Sequence, residues 1–586
     1  MSEKLLLLHV RATQMVFALC YEVAMKTRAN FPALIAVATT VAASDQLISK
    51  AEAAGDRIRS LIFVTEPHGS DPQLFQAAEL IVQTWRELGL DVKIRAMPRP
   101  QQLNVVWHTP NVCGGTGCWD ATTNKMSGRP ARSDPDEFIF NLYHSSTSHG
   151  GFNFAGYRSA EYDLVAQKQR TETDKEKRRE LIFQAQSILD RDQPTFFLVN
   201  PAQKFAFNRS VWDESSVIDQ AGLGIRNFWT YINIRPLGAQ KTLIINSGEP
   251  LRAIHPQFVG STVASWMQEL IWDRLLRINR EGLPEPWAAE SYKWLDDKTI
   301  QIVLRPDMKW HDGQPVTTDD VTFTFGEIGD KAPMYTPYTN IISQVKVIDA
   351  RTAQIILKEP SAPFLTSTLA NVNLTPAHIW RPIIQGMQGK AQNLESVRTE
   401  RPIGSGPFRF VRWKENEELV LERNPDHWAA PKSDRLIVRI VPNMEATLNM
   451  LLSGEINFLT HYTGDPDVLA QLVKQNDKLR LVITPDIGFE YVTPNLRRKP
   501  FSDTAFRRAL SLAIDRDLIV SAAYKDAAVK VNSPISGVLK YWHNPETDKF
   551  KPNIQEAKNI LKDAGYVLVG GRLHYPDGVK ETEVSD

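Results

Sequence analysis

Four short segments carry residue types that could do chemistry. Trp310-His-Asp-Gly313 sets a histidine beside an aspartate, but Asp-Gly after an alternating strand predicts a turn. Gly404-Ser-Gly406 resembles the turn that presents a nucleophilic serine, yet Pro407 stands where a helix should begin. His144 and His149 flank a Ser/Thr loop and are typical of surface loop histidines. No HExxH zinc motif occurs, and we predict that the protein is not an enzyme.

The two cysteines of Cys113-Gly-Gly-Thr-Gly-Cys118 are separated by a segment flexible enough to join them. A local disulfide in an oxidising compartment and a pair of free thiols are both compatible with this spacing. His108 is the one further metal-ligating residue nearby, so we predict neither a zinc site nor a cofactor.

The composition excludes some partners and favours others. The chain has 586 residues, and its 68 Lys+Arg equal its 68 Asp+Glu, which removes the bulk electrostatic attraction to nucleic acid. The length predicts more than one hydrophobic core. Fourteen Trp, 14 Tyr and 25 Phe, several of them in polar or Gly-rich surroundings, are typical of a protein that binds a ligand.

The first 60 residues have the pattern of a leader. Phe31–Ala43 is apolar but too short to span a bilayer, and the basic Met25-Lys-Thr-Arg28 precedes it. Small residues at Val41-Ala-Ala43 offer a cleavage site. We predict export to the periplasm with translation starting at Met25, the alternative being a buried N-terminal helix.

Short strands and helices alternate from residue 61, which predicts an α/β fold. After a polar joint at Pro236-Leu-Gly238 the pattern shifts towards β-structure. The expected elements include strands at 61–64, 92–94, 195–199 and 567–569, helices at about 74–88, 175–189 and 554–564, and a helix capped by Ser502 or Asp503.

Leu304–Phe323 resembles the strand–turn–helix block of the large solute-binding proteins that serve peptide- and nickel-type ABC importers (family 5). Five further blocks follow the family's order: Pro286–Glu290, Ile403–Phe408, Asn424–Trp428, Leu452–Asn457 and Pro500–Arg516. The resemblance implies a two-lobed periplasmic-binding-protein fold of class II (cluster C) with an extra subdomain. It also implies capture of a small solute between the lobes, and delivery to an ABC transporter permease in the inner membrane.

The two parts of the family stand in swapped order. Residues 61–236 resemble the family's C-terminal part, whereas the blocks that open the family begin near Lys241. A circular permutant, a truncated tandem and a gene-assembly artefact are the three alternatives; we expect one monomeric two-lobed protein. The predicted division is 1–60 leader, 61–192 second lobe, 193–285 first lobe, 286–400 extra subdomain of the first lobe, 401–487 first lobe and 488–586 second lobe.

The resemblance also implies ligand contacts. Peptide-binding members meet the ligand's amino group with an aspartate just before the Asp134-Pro135 block, and here Arg129 is nearest that position, with Arg132 close by. A cation there would favour an anionic or sugar-like conjugate over a free-amine peptide; the alternative is a solvated loop arginine displaced by an insertion. The further candidates are Gly248 and Glu249 in the first lobe, Tyr338 in the extra subdomain, and Trp119 and Asn153 in the second lobe.

Two other functions remain as alternatives. An exported chaperone-like or structural binding protein could use the same fold, because a fold does not fix a function. A hydrolase would need an arrangement of catalytic residues that none of the motifs above supplies.

Overall fold

A computed structural model describes residues 55–108, 119–148, 151–251, 253–259, 261–332, 334–387, 397 and 401–580. Most of the predicted leader, with its apolar run, and the Cys113/Cys118 pair lie outside the described residues. Residues 55–60 were predicted as leader but belong to the fold, because Ile58 is buried and its amide donates a hydrogen bond to the Leu573 carbonyl.

Strands and helices alternate along the described chain, and the predicted α/β class is confirmed. The strands are β1 Leu61–Thr65, β2 Val92–Ala96, β3 Ala121–Met126, β4 Phe196–Asn208, β5 Thr242–Ser247, β6 Leu276–Ile278, β7 Pro284–Pro286, β8 Ala289–Trp294, β9 Thr299–Leu304, β10 Ile342–Val347, β11 Thr352–Leu357, β12 Phe408–Lys414, β13 Glu418–Arg423, β14 Arg435–Ile440, β15 Phe458–Leu459, β16 Leu479–Pro485, β17 Phe489–Pro494, β18 Ala528–Lys530, β19 Val567–Val569 and β20 Arg572–His574. The helices are α1 Pro72–Glu87, α2 Arg99–Leu103, α3 Asp136–Tyr143, α4 Ala160–Thr171, α5 Lys175–Asp192, α6 Phe228–Asn233, α7 Thr262–Ile271, α8 Thr318–Thr322, α9 Thr336–Thr339, α10 Ala377–Gly386, α11 Met444–Ser453, α12 Pro466–Lys474, α13 Thr504–Ala513, α14 Arg516–Tyr524 and α15 Ile554–Asp563.

One long strand, β4, joins two parts of the main sheet. Its first half pairs with β17 and β18, and its second half pairs with β15 and β16. We call β12-β13-β14-β5-β15 with β16 the first-lobe sheet, and β17-β3-β1-β2 with β18 the second-lobe sheet. Near Pro201, β4 stops pairing with a strand of the second-lobe sheet and begins pairing with a strand of the first-lobe sheet. The chain therefore passes from one sheet to the other later than the predicted domain boundary at 192.

The part of the chain before Pro236 and the part after Lys241 both contribute strands to the main sheet. β1–β4 come from the part before Pro236, and every other strand of the main sheet comes from the part after Lys241. The chain crosses between the sheets a second time at 485–489, between β16 and β17. Without the second part, β4 therefore lacks its partners β15, β16, β17 and β18.

The two ends of the described fold lie against each other. Gly55 donates its amide to the Tyr575 carbonyl at 3.0 Å, and Arg57 bridges to His574 of β20. A Cβ built on Gly55 would lie 3.0 Å from the Val579 carbonyl oxygen. By contrast, the joint between the two parts, Leu237 to Gln240, is exposed.

A separate antiparallel sheet, β10-β11-β9-β8, forms inside residues 286–400. Buried and partly exposed residues alternate along β9 and β11, so that Ile300, Ile302 and Ile355 are buried on one face of the sheet. The alternation of apolar and polar residues therefore explains which face of this sheet meets the core.

Local signals explain most of the helices. Asp71 caps α1 by accepting a hydrogen bond from the Leu74 amide, and Asp503 caps α13 in the same way through Ala505. One of the strands that the sequence did not predict is β3, whose polar Thr122–Lys125 segment has no alternating apolar pattern. Its pairing with both β1 and β17 decides its conformation.

The buried carboxyl of Glu490 on β17 makes stability depend on pH. Burial raises its pKa from the ordinary 4.5 to about 7, although the Tyr524 hydroxyl donates a hydrogen bond to it and lowers the pKa. A carboxyl with a raised pKa in the folded state stabilises the fold below its unfolded pKa, and this contribution is lost as the pH rises through about 7.

We therefore expect Glu490→Gln to raise the free energy of unfolding at about pH 8 by roughly 1–3 kcal/mol and to change it little at about pH 5. Chemical denaturation at both pH values measures the effect. Glu422→Gln, an exposed substitution on β13, is the matched control. Equal stability changes of Glu490→Gln at the two pH values would contradict the assignment.

Candidate functional site

A cavity of about 350 Å³ lies at the carboxyl ends of β5 and β15, beside α7. The two strands are parallel, so both end at the same edge of the first-lobe sheet, where α/β proteins bind ligands. Its size falls within the usual range for small-molecule sites. The lining residues are Arg226, Tyr231, Ile245, Asn246, Ser247, Gly248, Glu249, Val263, Trp266, Met267, Thr460 and His461.

The side chain of Asn246 holds the two strand ends together. Its Oδ1 accepts hydrogen bonds from the Thr460 amide at 2.8 Å and the His461 amide at 3.3 Å, and its Nδ2 donates to the His461 carbonyl at 2.8 Å. Thr460 Oγ1 donates to the Asn246 carbonyl at 2.6 Å. These bonds give the floor of the cavity a fixed geometry.

Gly248 and Glu249 form the loop that follows β5. A Cβ on Gly248 would lie 2.5 Å from Cδ2 of His461, so only glycine lets the loop approach this ring. The Glu249 carboxylate accepts a hydrogen bond from the Val263 amide in the first turn of α7, where the helix dipole favours negative charge. The loop therefore brings one anionic side chain to the cavity.

Arg226 brings a cation to the same cavity. Its Nη1 donates to the Thr460 carbonyl at 3.1 Å, and its guanidinium carbon lies 4.8 Å from the centroid of the Trp266 ring. Burial lowers the pKa of this guanidinium below its usual value. Burial, followed by the nearby Arg226 charge, likewise lowers the pKa of His461, which keeps that imidazole neutral at neutral pH.

A second, much smaller crevice of about 10 Å³ adjoins this region. Pro130 contributes to it from the second lobe, and Trp266, Arg274 and Arg277 contribute from the first lobe. Trp266 lines both spaces. The loop that carries Arg129 therefore reaches the neighbourhood of the cavity.

Two searches of the described residues bear on the kind of site. No cluster of His, Cys, Asp or Glu in this part of the chain could hold a metal ion. No described helix has the length and apolarity needed to cross a membrane.

The sequence of residues 284–585, just over half of the chain, matches the family described as "Bacterial extracellular solute-binding proteins, family 5 Middle". The chain belongs to this family. The resemblance predicted from the sequence blocks is thus confirmed, and the family is defined by solute binding rather than by a reaction.

Several curated proteins resemble this family 5 protein over part of their length. They include the glutathione-binding protein GsiB of Pectobacterium atrosepticum (25% identity over 338 residues) and the periplasmic oligopeptide-binding protein OppA of Salmonella typhimurium (28% over 356 residues). The matches cover 56% of this chain and 62% and 64% of the two relatives. The chain thus spans less than two thirds of the relatives that it matches.

Two solved structures share the same partial similarity. An oligopeptide ABC transporter periplasmic binding protein from Thermotoga maritima matches with 24% identity and a TM-score of 0.45, covering 58% of this chain and 66% of the other. NikZ from Campylobacter jejuni, in complex with Ni(L-His), matches with 22% identity and a TM-score of 0.43, with the same coverage.

The predicted contact residues of this family 5 protein fall into separate groups. Gly248 and Glu249 line the cavity. Arg129 is exposed. Burial raises the pKa of the Tyr338 phenol, and the nearby positive charges of Arg129 and Arg132 partly offset this rise. Arg129 and Tyr338 are therefore close enough for their charges to interact, and neither lines the cavity.

Trp119 and Asn153 take structural positions in the second lobe. Trp119 is buried in a small cluster with Val64 and Phe154. The Asn153 amide donates to the Tyr157 carbonyl at 2.8 Å, and its oxygen accepts from the Tyr157 amide. These bonds bind the amide to its own loop, so we correct the assignment of Asn153 as a ligand contact.

Sequence reasoning missed seven polar or aromatic residues of the lining. A usable signal was present for part of them, because Asn246 and Ser247 end the strand β5 and Thr460 and His461 directly follow β15. Polar residues directly after parallel strands meet at one edge of a sheet. No comparable pattern marks the other three, Arg226, Tyr231 and Trp266.

Proposed function

We propose that the protein is a periplasmic binding protein that captures a small solute between its two lobes and delivers it to the permease of an ABC transporter. It works as a monomer, performs no catalysis and needs no cofactor. The observation that carries the proposal is the cavity of about 350 Å³ at the strand ends of the first-lobe sheet, in a chain of family 5.

The crossing strands supply a mechanism for closure. β4 and the 485–489 segment link the two sheets, so small changes of their backbone angles would move one lobe against the other. A solute that contacts both lobes only when they are closed shifts the population to the closed form. The Arg129 loop and Tyr338 are the groups that a solute extending beyond the cavity would meet.

Filling the cavity should abolish capture. We expect Gly248→Leu to lose the solute that co-purifies with the unmodified protein, because the new side chain would occupy the space between the loop and His461. Native mass spectrometry of protein purified without refolding measures the bound mass, and calorimetry with di- and tripeptides tests one solute class directly.

The matched control is Gly537→Leu, because Gly537 is exposed and a Cβ there meets no atom within 4 Å. This variant should keep the co-purified solute. If no small molecule binds the unmodified protein but unfolded client proteins do, the chaperone-like alternative replaces the proposal.

We also propose that the chain is a circular permutant of the family order. The contact between residues 55–58 and 573–575 supports this, because the two ends could be rejoined by a short linker. Exposed termini that lie close together are the condition under which permutation is tolerated.

A further inference from the structure

Arg226 holds a positive charge in the cavity without a close ion pair. No carboxylate among the described residues comes within ion-pair distance of its guanidinium, although Glu249 lines the same cavity. A cation that is enclosed and unpaired is costly unless a counter-charge reaches it. The unpaired charge of Arg226 therefore lowers the stability of the fold, but it suits the binding of an anion.

The hydrogen bonds of Arg226 leave part of its donor capacity unused. Nη1 donates to the Thr460 carbonyl at 3.1 Å, and Nη2 makes a long contact of 3.4 Å with Oε1 of Gln203. Nε is buried and has no acceptor within the described part of the chain. A guanidinium presents its donors as a planar fork, which matches a carboxylate.

Two neighbouring lining residues add donors of the same kind. Nε1 of Trp266 and the hydroxyl of Tyr231 are buried, and neither has a hydrogen-bond partner among the residues described. Burial raises the pKa of Tyr231, so this hydroxyl keeps its proton. These two atoms and Nε of Arg226 are withdrawn from the surface, so they make the wall of the cavity polar without being exposed to its interior.

We propose that the Arg226 guanidinium binds the carboxylate of the captured solute, in a wall that Tyr231 and Trp266 complete; this inference rests on the proposed function. The solute carries a single negative charge at this end, because the Glu249 carboxylate in the same cavity would repel a phosphate dianion. The ring of Trp266 beside the guanidinium provides an apolar wall for the part of the solute next to its carboxylate.

Benzoate and benzamide are probes of nearly equal shape that differ in charge. Calorimetric titration of the full chain should show saturable binding of benzoate, and binding of benzamide weaker by about 10- to 100-fold. Arg226→Gln should remove this difference by weakening benzoate alone. Arg280→Gln, an exposed arginine outside the cavity lining, is the matched control and should leave both affinities unchanged.

The melting temperature separates a binding role from a structural one. Because Arg226→Gln removes an unpaired charge, its melting temperature should equal or exceed that of the unmodified protein, whereas the loss of a structural arginine would lower it. Arg226→Lys should recover part of the benzoate affinity, since it restores the charge without the fork.

Four results would overturn the inference: no binding of benzoate, equal binding of benzoate and benzamide, tighter binding of inorganic phosphate, or full benzoate affinity in Arg226→Gln. If a solute still co-purifies with the unmodified protein in any of these cases, the proposed function stands and only the role of Arg226 falls. If neither a solute nor a probe binds, both fall.

Discussion

Replacing Arg178 with methionine is expected to lower the free energy of unfolding by about 3–5 kcal/mol. Its guanidinium forms two hydrogen bonds with the Asp134 carboxylate, at 2.6 and 2.8 Å, and the two side chains are 6% and 5% exposed. Burial lowers the pKa of Arg178, but Asp134 more than offsets this and raises it. Without Arg178, the Asp134 carboxylate would be left buried and unpaired.

Chemical denaturation measures the loss, and two variants interpret it. Arg191→Met lies on the same helix α5 and breaks ion pairs with Glu161 and Asp192. The Arg191 side chain is 49% exposed, so the substitution should cost less than about 1 kcal/mol. Adding Asp134→Asn to Arg178→Met should recover part of the stability, since the charge that lost its partner is removed. Equal losses in Arg178→Met and Arg191→Met would contradict the role assigned to the buried pair.

Cutting the chain within residues 237–240 is expected to leave a single folded complex of two fragments. β4, from the first fragment, pairs with β15, β16, β17 and β18 of the second, and residues 55–58 pair with 573–575. A protease site inserted in the exposed joint allows the cut, and size-exclusion chromatography before and after denaturant measures association. The fragment before Pro236 should not fold alone, because its strands would lack their neighbours.

The uncut protein is the reference for elution and for melting temperature. A chain opened at 237–240 and rejoined between residues 580 and 55 should match it in both and should retain the same bound solute. Separation of the two fragments without denaturant would show two independent modules and would favour the truncated tandem over the permutant.

Much of the fold followed from patterns along the chain. The helices α1, α5, α13 and α15 lie close to their predicted positions, because apolar spacing and capping residues are local signals. β3 was missed because its conformation depends on pairing with β1 and β17, which come from opposite ends of the sequence. The same long-range pairing moved the crossing in β4 away from the predicted boundary.

The residues of the candidate site were likewise predictable from the sequence only in part. Gly248 and Glu249 were predicted from the resemblance and line the cavity, whereas Arg129, Tyr338 and Trp119 lie elsewhere. Arg226, the residue with the strongest physical case for contacting a solute, stands in a segment with no motif. Its significance depends on an enclosed position without a paired carboxylate, which is a property of the assembled lobes.

The sequence by itself determined the family and the α/β class, because sequence blocks and periodicity are read along one chain; the swapped order of the two parts stays a prediction from the same blocks. Only the tertiary structure decided that the two parts share their sheets through β4, and that Arg226, Glu249 and His461 meet at one strand edge. Residues of three distant segments form this site. Their charges and distances are set by strand pairing and burial, which no local pattern contains.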